Sequence, residues 1–469
     1  MGRKLIGLVL ALVLVLAMPL AAAHAEEAKM PKYVFLFIGD GMGPSQRQLA
    51  EYGLKAMTGD PDAVLAMDTL PYGGSMMTTP ADGAMITDSA AAGSAMATGV
   101  KHLNGTLAVD ADGNPLETVA ECAKKSGMAL GIVSNGKVAG ATPASFTAHV
   151  LDRDAQNEIA DQQLALGIDF FGCSGYRNLI PMSDPSGDSR RTDERDLVSE
   201  YQAAGYDTFI GADSIDAFRA YQAGAGAKVL CAFTSGSYPY LMDQAYEGED
   251  LPTLAEVTQK GIELLSQNED GFFFLIENDV LDDCGHYNDA AGTIYETIAL
   301  DDAVKVALAF YEAHPDETLI IVTADHETGG LGIGTAYDYS LNIDKILSHK
   351  ASIEGNIEYE QGDPDGYYAL VADLYGFTPD EAQKVELDAY MAELDSMDEV
   401  PDIEENELYM ATVDMINASE NIGFTTWEHT ACPVPLTAIG ACADSFGGMM
   451  QNTDFAQRLA AAMGLSLGN

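Results

Sequence analysis

Residues 272–289 read FFFLIENDVLDDCGHYND, and the fold turns on how they are read. Phe272 to Ile276 form an unbroken apolar run, which suits a strand buried on both faces of a parallel sheet rather than an alternating, half-exposed one. Where the run stops, Glu277, Asp279, Asp282, Asp283 and His286 crowd together. Oxygen donors followed by a carboxylate and an imidazole four residues apart suit a hard cation and zinc side by side. An acidic surface turn would look the same in isolation. Other strands that end in the same way separate the two readings.

Two such strands are present. Tyr33 to Ile38 (YVFLFI) runs into Gly39-Asp40-Gly41-Met42-Gly43, a carboxylate among glycines, where backbone can approach a ligand closely. Leu319 to Val322 (LIIV) runs into Thr323-Ala324-Asp325-His326. Strand ends at Asp40, Glu277 and Asp325-His326 predict one site at the carboxyl edge of an α/β fold, with a central, mostly parallel sheet flanked by helices on both faces.

Thr87-Asp88-Ser89 precedes the small-residue run AAAGSAMATG. Thr87 or Asp88 would cap a helix running through Ala90 to Met96, with Ser89 in its first turn, where the helix dipole favours negative charge. A serine there is ordinarily a packing residue. It becomes a nucleophile only if something lowers its pKa, and no triad base stands nearby in sequence. Helices are also expected over Leu116–Ser126, Leu254–Leu265 and Thr293–Ala313, and in a stretch after Thr142-Pro143 carrying His149 and Arg153. Ala129–Ser134 and Val229–Phe233 read as short buried strands.

From about Tyr337 to Asn421 the chain becomes acidic and tyrosine-rich, with helices expected over 367–375 and 380–394. These residues read as an insertion or cap within one domain, the core being 26–336 completed by 422–469. Asp363-Pro-Asp365-Gly366 and Asp110-Ala-Asp112-Gly113 lack the closing glutamate of a calcium loop and read as turns. Thr425 to Thr430 (TTWEHT) then carries His429 and the only tryptophan, a further nitrogen donor for a tetrahedral zinc.

The chain carries 23 Lys plus Arg against 73 Asp plus Glu, a formal net charge of −50. That balance argues strongly against nucleic acid and anionic membrane as partners, since both need basic surface. Met1 to Ala25 reads as an export signal: Arg3 and Lys4, apolar Leu5 to Leu20, then Ala23-His24-Ala25 as the cleavage site. A mature chain starting near Glu26, in the periplasm or outside the cell, is expected. The six cysteines (122, 173, 231, 284, 432, 442) form no C-x-x-C pair, and their pairing is not readable.

Together the motifs resemble the alkaline phosphatase family. They are IGDGMG (38–43), TDSAAAGSAMATGVK (87–101), ATP (141–143) with Arg153, GFFFLIE (271–277), LD (281–282) with His286, TADH (323–326) and EHT (428–430), in the family's order. The resemblance implies hydrolysis of phosphate monoesters through a phosphoserine, with two zinc ions and one magnesium, and is compatible with a homodimer. Ser89 would be the nucleophile at the second zinc, held with Asp40, Asp325 and His326. Asp282, His286 and His429 would hold the first zinc. Asp40, Thr142 and Glu277 would serve magnesium, and Arg153 would clamp phosphate oxygens.

Two positions depart from the family's pattern. Gly140 stands where an Asp or His usually supports the third metal, and Asp283 where Lys, His or Trp usually acts near the phosphate. Weaker magnesium dependence and faster phosphate release are the expectations they raise. The rival readings are a phosphodiesterase or phosphonate hydrolase of the same superfamily, and a secreted metal- or phosphate-binding protein without catalysis. The absence of a C-x-P-x-R or S-x-P-x-R signature speaks against a sulfatase.

Overall fold

The computed structural model describes residues 30–468 except 82, 398–400 and 402–405; the expected export segment lies outside them. Its strands are β1 (Tyr33–Gly39), β2 (Tyr72–Met77), β3 (Ala129–Ser134), β4 (Phe170–Cys173), β5 (Tyr206–Ile210), β6 (Lys228–Ala232), β7 (Phe272–Asn278) and β8 (Thr318–Thr323). Four two-residue pieces follow, β9 (Glu327–Thr328), β10 (Gly332–Ile333), β11 (Ile422–Gly423) and β12 (His429–Thr430), and then β13 (Val434–Gly440) and β14 (Gly448–Gln451).

Ten strands form one sheet in the order β14-β2-β13-β8-β1-β7-β3-β4-β6-β5. β1 lies between β7 and β8, parallel to both. Only β13 runs against the rest, pairing antiparallel with β8 and β2. The register sets Gly39 opposite Asn278 and Ile38 opposite both Glu277 and Thr323, so three acid-bearing segments leave the sheet at one edge.

The unbroken apolar runs are buried along their whole length, as two-sided coverage requires. Their aromatics pack against one another: Phe274 meets Phe170 edge-on at 6.1 Å, and Phe35 meets Phe272 edge-on at 5.0 Å. The long helix after β7 spans Ala290–Ala313 rather than starting at Thr293, because Asp289 accepts a hydrogen bond from Gly292 N and caps it three residues earlier. The helix expected over 116–126 is shorter, Val119–Lys125, because the Thr118–Glu121 capping box fixes its start.

A correction falls on the segment after Thr142. Its helix stops at Thr147, and His149 and Arg153 lie in the loop before the next helix, Gln156–Leu166. The backbone there is drawn away from helical pairing: Val150 exchanges hydrogen bonds with Leu107, and Arg153 N donates to Gly105 O at 2.8 Å.

A second apolar core gathers Ile353, Tyr367, Tyr375, Leu387, Tyr409 and Ile416. It holds the helices Pro364–Tyr375 and Glu381–Leu394, and also a third, Glu407–Glu420, which the sequence reading passed over. Asp363 caps the first of these, accepting from Gly366 N, and Asp110 accepts from the backbone of Asp112 and Asn114, so both Asp-x-Asp-Gly stretches are used as turns or caps. No disulfide joins any of the six cysteines.

Phe274 has no exposed surface, and Gly131 and Gly261 sit directly against its ring. Phe274→Ala is expected to remove ~3–5 kcal/mol, read as a lower urea midpoint at fixed metal concentration.

Candidate active site

Asp40 leaves β1 through a turn in which Gly41 has φ +71°. A Cβ there would also lie 2.8 Å from oxygens of both Asp282 and Thr328, so the turn carries no side chain. Ser89 opens the helix Ser89–Thr98, every residue of which is buried. That burial follows from small side chains: a Cβ on Gly93 would fall 2.3 Å from Ser145 Oγ, which brings this helix against the one carrying Thr142.

Ser89 Oγ lies 3.1 Å from His326 Nε2. The same nitrogen is 3.2 Å from Asp40 Oδ1 and 3.2 Å from Asp325 Oδ2. His326 Nδ1 faces Thr328 Oγ1 at 3.2 Å, and that hydroxyl donates to Asp282. Thr328 Oγ1 therefore accepts from Nδ1–H, which leaves the Nε2 lone pair pointed at carboxylate oxygens. Burial, and then the charge of His429, hold His326 well below the usual imidazole pKa, so a proton on Nε2 does not relieve this.

The same arrangement recurs beside it. His286 Nδ1 is 2.6 Å from the Trp427 carbonyl and His429 Nδ1 is 2.8 Å from the Thr87 carbonyl. With both Nδ1–H groups committed, the two Nε2 atoms face each other at 3.1 Å. Two bare lone pairs would repel at that distance, so a proton or a metal ion has to lie between or beside them. Asp282 Oδ2 is 3.2 Å from His286 Nε2 and 3.8 Å from His429 Nε2. Burial opposes charge on His286, but Asp282 outweighs it and pushes the pKa up to about 9.

Behind these lies an oxygen-only cluster. Thr142 Oγ1 donates to Asp40 Oδ2 at 3.2 Å. Glu277 is wholly buried, and neither carboxylate oxygen has a hydrogen bond of proper geometry, although the Ser134 and Thr142 hydroxyls face it. Asp40 Oδ1 and Asp325 Oδ2 likewise have no hydrogen-bond partner. Burial first, and then mutual repulsion, raise Asp40 and Glu277 far above the carboxylate range and Asp325 to about 7. Donor atoms of Asp282, His326 and His429, of Asp40, Asp325 and His326, and of Asp40, Glu277 and Asp279 converge to within 4.8 Å in three overlapping groups. Orphaned buried oxygens and confronted imidazoles are what a multi-cation site leaves when only its protein donors are considered.

A sequence profile of the alkaline phosphatase family matches residues 31–465. The chain belongs to the alkaline phosphatase family. Alkaline phosphatase 3 of Bacillus subtilis is 32% identical over 460 residues, spanning 94% of this chain and 92% of its own. The crystal structure of a cold-active alkaline phosphatase from the psychrophile Shewanella sp. superposes with a TM-score of 0.75 at 31% identity, over 92% of this chain and 99% of that one. Alkaline phosphatase of Thermus thermophilus gives 0.79 at 26% identity, covering 95% of each chain. The chain is therefore a phosphoric monoester hydrolase of a metal-dependent family.

All ten expected residues of this phosphatase fall at one sheet edge. Arg153 reaches it through a residue read only as a helix cap. Asp88 Oδ1 accepts from Ala91 N at 2.8 Å, capping the Ser89 helix, while Oδ2 accepts from Gly105 N at 2.8 Å and from Arg153 Nη1 at 3.0 Å. Position next to the serine was the available signal. Thr328 and Gln46 were also missed: Gln46 Nε2 donates to Glu327 Oε1 at 2.7 Å and Thr328 O at 2.8 Å, steadying the strand piece after His326. Asp283 is pressed among Asp279, Asp282 and Glu354, and burial raises its pKa well above the usual range.

Asp88→Asn keeps the cap but removes the charge that holds Arg153. KM for a phosphate monoester is expected to rise about tenfold, by loss of a charge-assisted bond, with a smaller change in kcat in steady-state kinetics.

Proposed function

We propose that this phosphatase hydrolyses monoesters through a phosphoserine on Ser89, with two zinc ions and one magnesium. Asp282, His286 and His429 form one nitrogen-rich donor set, and Asp40, Asp325 and His326 beside Ser89 form the other; both suit zinc. Asp40, Thr142 and Glu277 offer oxygen alone, which suits magnesium. The observation that carries this reading is the approach of the His286 and His429 Nε2 atoms to 3.1 Å while both Nδ1 atoms are bound elsewhere.

When bound, such ions would depress the serine pKa, neutralise phosphate charge and favour departure of the alcohol. The chain's own part begins with Arg153, whose guanidinium is held by Asp88 and would offer its remaining N–H groups to the phosphate oxygens. Ser89 Oγ attacks phosphorus from the positive end of its helix as the ester P–O bond breaks and the alcohol leaves. Water then attacks the phosphoserine, the P–O bond to Ser89 breaks, and the serine recovers its proton as inorganic phosphate leaves. His326, fixed by Thr328, sets the position of Ser89 Oγ throughout.

Residues 337–421 are read as a cap carrying the second apolar core, and the mature enzyme as exported after Ala25. No helix among the described residues is long and apolar enough to cross a membrane. The net charge of −50 supports small monoesters rather than nucleic acid as substrates. The family resemblance is compatible with a homodimer.

Metal analysis of the purified enzyme is expected to find about two zinc and about one magnesium per chain. Chelation should abolish monoester turnover, and zinc with magnesium should restore it. Ser89→Ala should lower kcat by at least about three orders of magnitude while zinc content stays unchanged. Turnover indifferent to chelator, or intact in Ser89→Ala, would overturn the mechanism.

A further inference from the structure

Position 140 begins the Thr142 helix without a side chain, and its backbone leaves little room for one. A Cβ on Gly140 would lie 2.8 Å from the Lys137 carbonyl oxygen, which already accepts from Gly140 N at 2.7 Å to close the turn. A further carboxylate, Asp279, converges on Asp40 and Glu277. Asp279 is the first residue past β7, and its side chain lies across Gly136. A Cβ on Gly136 would meet Asp279 Oδ2 at 2.0 Å and Cγ at 2.2 Å, so the glycine makes room for the carboxylate.

Asp279 is also held by its backbone. Asn135 Oδ1 accepts from Asp279 N at 2.8 Å, and Asn135 Nδ2 donates to Asn278 Oδ1 at 2.9 Å. The loop after β3 thus fixes the end of β7. An Asp279 oxygen comes within 4.8 Å of donor oxygens on Asp40 and Glu277. Acidic neighbours alone would not make a site. The independent sign is that Glu277, wholly buried within this cluster, has no hydrogen bond of proper geometry to either carboxylate oxygen. Lys137 and Arg153 are the cations whose fields reach Asp279, and Arg153 is committed to Asp88.

We propose that Asp279 is a further carboxylate ligand of the cation held by Asp40, Glu277 and Thr142, supplying from the β7 end the support that position 140 lacks. The inference rests on the third-cation site proposed above. A hydroxyl and three carboxylates form an all-oxygen donor set for a hard divalent ion such as magnesium. It also gives Gly136 a role that turn geometry does not, since no positive φ is needed there.

The test uses zinc-loaded enzyme dialysed free of magnesium. Mg²⁺ binding is measured by equilibrium dialysis with metal analysis, and by the rise in Tm on adding Mg²⁺, for wild type, Asp279→Asn and Glu277→Gln. Asp279→Asn should bind Mg²⁺ about 10–100-fold more weakly with zinc content unchanged, and its Mg²⁺-induced rise in Tm should shrink accordingly. Its Tm without Mg²⁺ should be no lower than wild type, because a like charge has been removed. Should Asp279→Asn fold poorly, Asp279→Ser carries the same readouts. Wild-type Mg²⁺ affinity in Asp279→Asn, with Glu277→Gln impaired, would overturn the assignment of Asp279 alone. Unchanged affinity in both variants would overturn the third-cation site, and this proposal with it.

Discussion

Asp40, Glu277 and Asp325 leave three adjacent strands at the same edge, and their carboxylates repel one another where water cannot screen them. Two unit charges about 4 Å apart interact by about 4 kcal/mol at an effective dielectric constant near 20. Several such pairs would be comparable with the whole stability of a typical domain. Much of the surrounding structure follows from that constraint. The imidazoles of His286, His326 and His429 commit their Nδ1 atoms outward and turn Nε2 inward, toward these carboxylates. The helix that begins at Ser89 directs its positive end to the same place.

The site is also braced by the second apolar core. Trp427 joins the two: its carbonyl accepts from His286 Nδ1, while its ring packs 6.0 Å from Tyr409. Ile353 N donates to Asp289, which caps the long helix after His286, and Asn417 Nδ2 donates to the Asn288 carbonyl. Deeper in, His349 Nε2 and Glu420 Oε1 meet at 2.7 Å, both buried. The only tryptophan of the chain therefore links the packing of the second apolar core to the orientation of the His286 imidazole.

The acidic surface does not conflict with an anionic substrate. At physiological salt, fields from exposed carboxylates fade over about 8 Å, whereas Arg153 and the proposed cations act at contact. Asp88 has the finer role. It is an anion beside the serine whose charge is already used, by a backbone cap, a loop amide and the Arg153 guanidinium.

Much of the site was legible in the sequence because strand period and acid placement act locally. An unbroken apolar run predicts a two-sided strand, and a carboxylate at the end of each of three such runs predicts a shared edge. Asp40, Glu277, Asp282, His286 and Asp325-His326 were picked out as candidates in that way, and Ser89, Thr142, Arg153 and His429 through the family's motifs. The loop holding Arg153 was not, because Leu107 and Gly105, remote in sequence, take the backbone hydrogen bonds that would have continued the helix. Nor was Asp279, whose meaning depends on Gly136 lying under its side chain. The sequence by itself determined which strands carry donors and that they end together. Tertiary structure alone decided which lone pairs face one another, because register, tautomer and the burial of unpaired oxygens arise only when distant segments pack.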